Sequence, residues 1–122
     1  MILAVINDLF FQAKIEGAAR AEEAVCLALG GEEEIDAVLL EQNPDVLFVD
    51  LGVSTLDALA LIRKLKHSVS TKDIPLLAFT HHVREDLLRE AKEAGADLVL
   101  PKSVFNQRLN ELIRYYKKTP QK

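Results

Sequence analysis

The feature that most limits what this chain can become is a regular alternation of short apolar runs with helical patterns, sustained from one end to the other. The runs are Ile2 to Ile6, Ala24 to Leu29, Val46 to Val49, Ile74 to Phe79 and Leu98 to Leu100. Each is continuous in hydrophobicity rather than alternating, the pattern of strands buried on both faces. Between them apolar residues return at helical spacing. Phe11, Ile15 and Ala18 form the first stripe, weakened by Gly17, and Ile35, Val38 and Leu39 form the second. That second helix opens on Glu32-Glu33-Glu34, as suits a helix N-terminus, and Asn43-Pro44 ends it. Ala58, Ile62 and Leu65, with Leu61 beside them, mark the third stripe, and residues 67–73 read as a loop. Leu87, Leu88, Ala91 and Ala94 mark the fourth, with Gly95 as its cap, and Phe105, Leu109, Leu112 and Tyr116 the last.

Five strands alternating with five helices predict an α/β fold, a parallel sheet with helices on both faces. Right-handed crossovers leave few topologies, and the flavodoxin-like doubly wound order 2-1-3-4-5 is the common one at this length. The 122 residues suit one domain, taken as 1–118 with a short tail at 119–122.

Composition narrows the function. Hydrophobic residues at 49% and charged residues at 28% match a soluble globular protein. No apolar run approaches bilayer length. Met1 to Ile6 resembles the core of a signal peptide but lacks a basic lead and is interrupted by Asn7 and Asp8, so a cytoplasmic location with no membrane association is expected. A formal charge of -4 argues against nucleic acid as the partner. Cys26 is the only cysteine, which precludes an internal disulfide, and its apolar surroundings read it as a small hydrophobe.

The residues just after each strand are more telling. Asn7-Asp8 come after the first, Asp50 after the third, Thr80 after the fourth and Lys102 after the fifth. In a doubly wound sheet all carboxyl ends share one edge, with a crevice where the strand order reverses. Two carboxylates there resist joint ionisation unless a cation lies between them. Mg2+ suits such a place, with Asp8, Asp50 and the backbone carbonyl of Gly52 as its protein ligands. Asp50 would attack a phosphoryl group, and Lys102 and Thr80 would hold the phosphoryl oxygens. Each residue also has a plainer reading: Asp8, Asp50 and Thr80 as helix caps, Lys102 as an ion-pair partner.

Asn43 to Asp50, Ile74 to Thr80 and Ala94 to Lys102 resemble the receiver domains of response regulators, and the resemblance covers nearly the whole chain. It implies a single-domain, atypical receiver in a two-component phosphorelay, a switch rather than an enzyme. Asp50 would be the phosphoacceptor, Thr80 and Lys102 the switch residues, and Asp8 the acid that contacts metal directly. The implied partners are a histidine kinase or phosphotransfer protein and a downstream protein target, with a weak homodimer possible through the last helix. Several positions depart from the family. Asn7 replaces the first acid, Val53 to Ala58 replaces the Met-Pro-x-Met-x-Gly segment, Val99 stands at an aromatic position, Ser103 at a proline, and His81 at a usually small residue.

His81 and His82 are adjacent and chelate one ion poorly, so they read as solvated or gating, and His67 is isolated. Gly30-Gly31 is too little for a phosphate loop. Two other readings stay open: a phosphorylation-independent pseudo-receiver acting as an interaction module, and a small flavodoxin-like cofactor-binding protein. With no Trp and two Tyr near the C-terminus, flavin stacking is disfavoured.

Overall fold

A computed structural model describes residues 1–81 and 84–117. His82 and the tail at 119–122, like Lys118, lie outside the described residues. Five parallel strands, β1 (Ile2–Val5), β2 (Cys26–Leu29), β3 (Val46–Asp50), β4 (Leu76–Thr80) and β5 (Leu98–Pro101), form one sheet in the order β2-β1-β3-β4-β5. This is the expected doubly wound arrangement. Helices α1 (Leu9–Ala21), α2 (Glu32–Glu41), α3 (Ala58–Lys66), α4 (Glu85–Ala94), α5 (Lys102–Gln107) and α6 (Leu109–Tyr116) supply the layers.

Successive strand residues point to opposite faces, so the apolar runs feed two cores at once. Leu3, Val5, Leu47, Val49, Leu76 and Ala78 meet Ile35 of α2, Leu61 and Ile62 of α3, and Ala91 and Ala94 of α4. Ile2, Ala4, Val46, Phe48, Leu77 and Phe79 meet Phe11 and Ile15 of α1, Phe105 of α5 and Leu109, Leu112 and Ile113 of α6. Strands β1, β3 and β4 are buried throughout, whereas β2 and β5, at the edges, are only partly covered.

The helix ends obey local chemistry. Asp8 caps α1, its Oδ1 accepting from the N–H groups of Phe10 at 3.0 Å and Phe11 at 3.2 Å. Asp57 caps α3, accepting from Ala60 N–H at 3.1 Å. Gly95 ends α4 at φ 118°, where a Cβ would also lie 2.8 Å from Lys66 Cβ, so only glycine fits. Helix α1 runs through Gly17 unbroken, and Ala19 rather than Ala18 completes its buried stripe with Phe11 and Ile15.

The single last helix expected from sequence is two helices, so six stand where five were predicted. At Arg108 the backbone opens to φ -98° and ψ 7°, away from helical ψ near about −42°. Arg108 accepts from Leu112 N–H at 2.8 Å, restarting the ladder for α6. The turn lets Phe105 enter the aromatic cluster under the sheet while Leu109, Leu112 and Ile113 reach α1. Apolar spacing alone does not reveal such a break.

Phe105 is fully buried, its ring centroid 4.5 Å from Phe79 in a stack and 5.0 Å from Phe48 edge-on. Phe105→Ala should cost about 3–5 kcal/mol in urea unfolding, the usual loss for a truncated core aromatic. Tyr115→Ala, at a position 79% exposed, should stay within about 0.5 kcal/mol of the parent.

Candidate functional site

The parallel register brings the strand ends to one edge. Val5 pairs with Val49, Asp50 with Phe79 and Thr80 with Pro101, so Asp50 and Thr80 close adjacent central strands and Lys102 begins α5 directly after β5. Asp8 enters from the β1–α1 turn and Gly52 from the loop that leaves β3.

Asp50 is 3% exposed, at the carboxyl end of β3. Its Oδ1 accepts from Gly52 N–H at 2.8 Å. It does not cap a helix, since α3 starts eight positions later under Asp57. Thr80 does not cap one either: the N-cap of α4 is Arg84. Asp8 does cap α1, but with one oxygen only. Its Oδ2 lies 3.5 Å from Lys102 Nζ and 4.0 Å from His81 Nε2. Lys102 Nζ in turn lies 3.2 Å from His81 Nε2 and 4.5 Å from the centre of the Phe11 ring. The ammonium is thus shared among a carboxylate, an imidazole nitrogen and an aromatic face.

Two of these neighbours are not among the residues singled out for chemistry from the sequence. Phe11 reads as a core residue, which it also is, and its ring face becomes a cation contact only because α1 packs against the C-terminal helices. His81 reads as solvated or gating. Its place immediately after Thr80 is the one sequence signal that sets it near the cleft, while its contacts with Lys102 and Asp8 are tertiary. Cys26 is half-buried away from this edge, and burial pushes its thiol up to about 11, as suits a packing residue rather than a nucleophile.

The two carboxyls are driven in opposite directions. Burial pushes Asp50 above the ordinary carboxylate range, against the downward pull of Gly52 N–H, His81 and Lys102, and the charge of Asp8 adds to the push. Asp8 is held below its ordinary value, first by Phe11 N–H, with further help from Lys102 and Phe10 N–H against partial desolvation. The donor set is all hard oxygen: on each aspartate one carboxylate oxygen that takes no backbone N–H, plus a loop carbonyl at Gly52. That composition fits Mg2+, which takes one or two carboxylates and fills its remaining positions with water and phosphate oxygens. A cation joining Asp8 would have to displace Lys102 from it. Beside the cleft, a cavity of about 740 Å³ is lined by Asp8, Phe10, Phe11, His81, Lys102 and Ser103, among others.

Because Asp50 ionises less readily folded than unfolded, its charge opposes folding. The penalty is fully present above its folded pKa and absent below the ordinary 3.8, where both states are protonated. Asp50→Asn keeps an oxygen for Gly52 N–H without the charge. In metal-free buffer the variant should melt above the parent at neutral pH, and calorimetry at falling pH should show the two curves converging.

The family model for the response regulator receiver domain matches residues 2–114. The phosphate regulon transcriptional regulatory protein PhoB of Pseudomonas aeruginosa is 31% identical over 72 residues, 59% of this chain and 31% of that protein. The chain spans under a third of the length of the curated relatives it matches. Among solved structures, a putative response regulator from Chloroflexus aurantiacus superposes with a TM-score of 0.83 at 23% identity, covering 94% of both chains. The receiver domain of sensor histidine kinase PA1611 from Pseudomonas aeruginosa, with magnesium coordinated in its active site cleft, gives 0.80 at 18% identity, again covering 94% of both. Strand order, cleft and family match agree: this chain belongs to the response regulator receiver domain family, the signalling module of two-component systems.

Proposed function

We propose that this receiver domain is a phosphorylation switch in which Asp50 accepts a phosphoryl group, with Mg2+ bound, from a histidine kinase, a phosphotransfer protein or a small acyl phosphate. The observation that carries the reading is a nearly solvent-excluded carboxylate at a sheet edge, one oxygen held by Gly52 N–H, with Asp8 and Lys102 at the same edge. The oxygen that Gly52 does not hold is the nucleophile. It attacks phosphorus, the bond from phosphorus to the donor's oxygen or nitrogen breaks, and the donor leaves with the bonding pair. An acyl phosphate remains on Asp50.

Asp8, Asp50 and the Gly52 carbonyl would hold Mg2+, which supplies charge neutralisation when bound. The magnesium in the cleft of the PA1611 receiver domain is in keeping with this. Lys102 leaves Asp8 and His81 for a phosphoryl oxygen, and the Thr80 hydroxyl donates to another. Those movements alter the α4–β5–α6 surface, through which the phosphorylation state reaches a downstream protein. Val99, at a position often aromatic, has no ring to swing, so the change passes through backbone and helix position.

A second reading is a receiver that acts as an interaction module without phosphorylation. Two observations favour it: the Asn7 amide donates to Ser54 Oγ at 2.9 Å rather than contributing an acid, and Lys102 with His81 crowds the Asp8 oxygen that a cation would use. One experiment separates the two. The protein is incubated with acetyl phosphate and Mg2+ and weighed intact beside Asp50→Asn. The switch requires a single alkali-labile phosphoryl adduct on the parent, absent from the variant and absent when chelator replaces Mg2+. An unmodified parent, with no response to beryllofluoride either, would establish the second reading.

A further inference from the structure

The loop from Leu51 to Leu56 carries Gly52 and joins β3 to the cap of α3. Leu51 and Val53 anchor it from below, buried in the core, and the Leu51 and Val53 N–H groups donate to Phe79 and Asp50 carbonyls at 2.9 and 3.1 Å. Beyond Val53 the chain is exposed at Ser54 and Thr55, and its attachments change character. Ser54 Oγ accepts from Asn7 Nδ2 at 2.9 Å, and the Thr55 hydroxyl donates to the Gly30 carbonyl. One bond reaches the turn after β1 and the other the turn after β2. Gly30 lies where these meet: a Cβ there would stand 3.2 Å from Thr55 Oγ1, 3.3 Å from the Ile6 carbonyl and 3.4 Å from Asn7 Cβ. The absence of a side chain at Gly30 lets three chain segments close on one another.

We propose that Asn7, Gly30, Ser54 and Thr55 form a clasp that positions the Gly52-bearing loop over Asp50. Asn7 is then a positioning residue whose amide is committed to the loop. The amide lets position 7 act as the donor, whereas a carboxylate there could only accept from the Ser54 hydroxyl. The clasp deepens the phosphorylation reading, and rests on it only where Gly52 is taken as a cation ligand.

The test uses the whole chain in two measurements. The first is amide hydrogen exchange over residues 51–56 without metal, which registers the clasp itself. The second is Mn2+ affinity by calorimetry, which registers its consequence. Asn7→Ala and Ser54→Ala should each speed exchange in the loop by about three- to tenfold, the range set by one hydrogen bond's net contribution. The double variant should be no faster than either single, as expected for two halves of one contact. Thr55→Val and Gly30→Ala should loosen the same residues, while β3 and β4 exchange as in the parent. Ser54→Thr, which keeps the hydroxyl, should restore parental rates. Mn2+ affinity should fall by a similar factor in each loosened variant.

Unchanged exchange at 51–56, or fully additive effects of Asn7→Ala and Ser54→Ala, would overturn the clasp. Faster exchange with undiminished Mn2+ affinity would overturn its positioning role and leave a structural tie. A parent that binds no divalent cation would refute the phosphorylation reading instead, since loop exchange still decides the clasp.

Discussion

A carboxylate withdrawn from water at the end of a central strand is the constraint around which this cleft is organised. Asp50 gains one hydrogen bond, from Gly52 N–H, and loses most of its hydration. Lys102, an ammonium at the same edge, rests on Asp8 and His81 instead. An anionic group in that position is under-compensated, which is why burial prevails over three stabilising neighbours in setting its proton affinity. Positive charge delivered to the cleft would relieve that imbalance, as would loss of the carboxylate.

Asp8 shows how one short side chain holds two assignments without conflict. Its Oδ1 is occupied by the first-turn amides of α1, which fixes the carboxylate's direction and keeps it ionised. Its Oδ2 is left toward Lys102 and His81. The capping interpretation and the ligand interpretation of an aspartate after a strand are often set against each other. Here the cap is what would orient the ligand.

The sheet was legible because burial on two faces writes itself into every strand as an unbroken apolar run, and crossover handedness then restricts the order. Legibility declined where tertiary packing overrides local pattern. The stripe Phe105, Leu109, Leu112, Tyr116 reads as one helix because periodicity cannot register the change in ψ at Arg108 that divides it. Edge strands β2 and β5 look as apolar as the central three, although they are only partly covered. At the cleft, sequence order gives which residues come after the strands but not what they touch. Lys102 over Phe11, and Thr55 on Gly30, join segments whose proximity exists only after the layers pack. Gly30-Gly31 is the clearest instance. The pair is uninformative as a motif, and only the three surrounding contacts give Gly30 a reason to lack a side chain.

The departures from the family's usual residues fall around the buried carboxylate rather than on it, and the structure gives several of them physical coherence. Losing a proline from a loop raises its conformational freedom in the unfolded chain. Asn7, Ser54 and Thr55 act in the opposite sense by tying that loop to two neighbouring turns. With Asn7 in place of an acid, Asp8 is the carboxylate whose charge repels Asp50. His81 adds an imidazole nitrogen 3.2 Å from the Lys102 ammonium, which also lies 3.5 Å from Asp8 Oδ2. The loop and the Asp8 side of the cleft are thereby held by internal contacts, while Asp50 keeps its charge imbalance. A group entering the cleft would have to break the Lys102–Asp8 contact before it drew Lys102 toward Asp50. These contacts bear on how the cleft could rearrange and not on the fold, which the strand order and the two cores set without them.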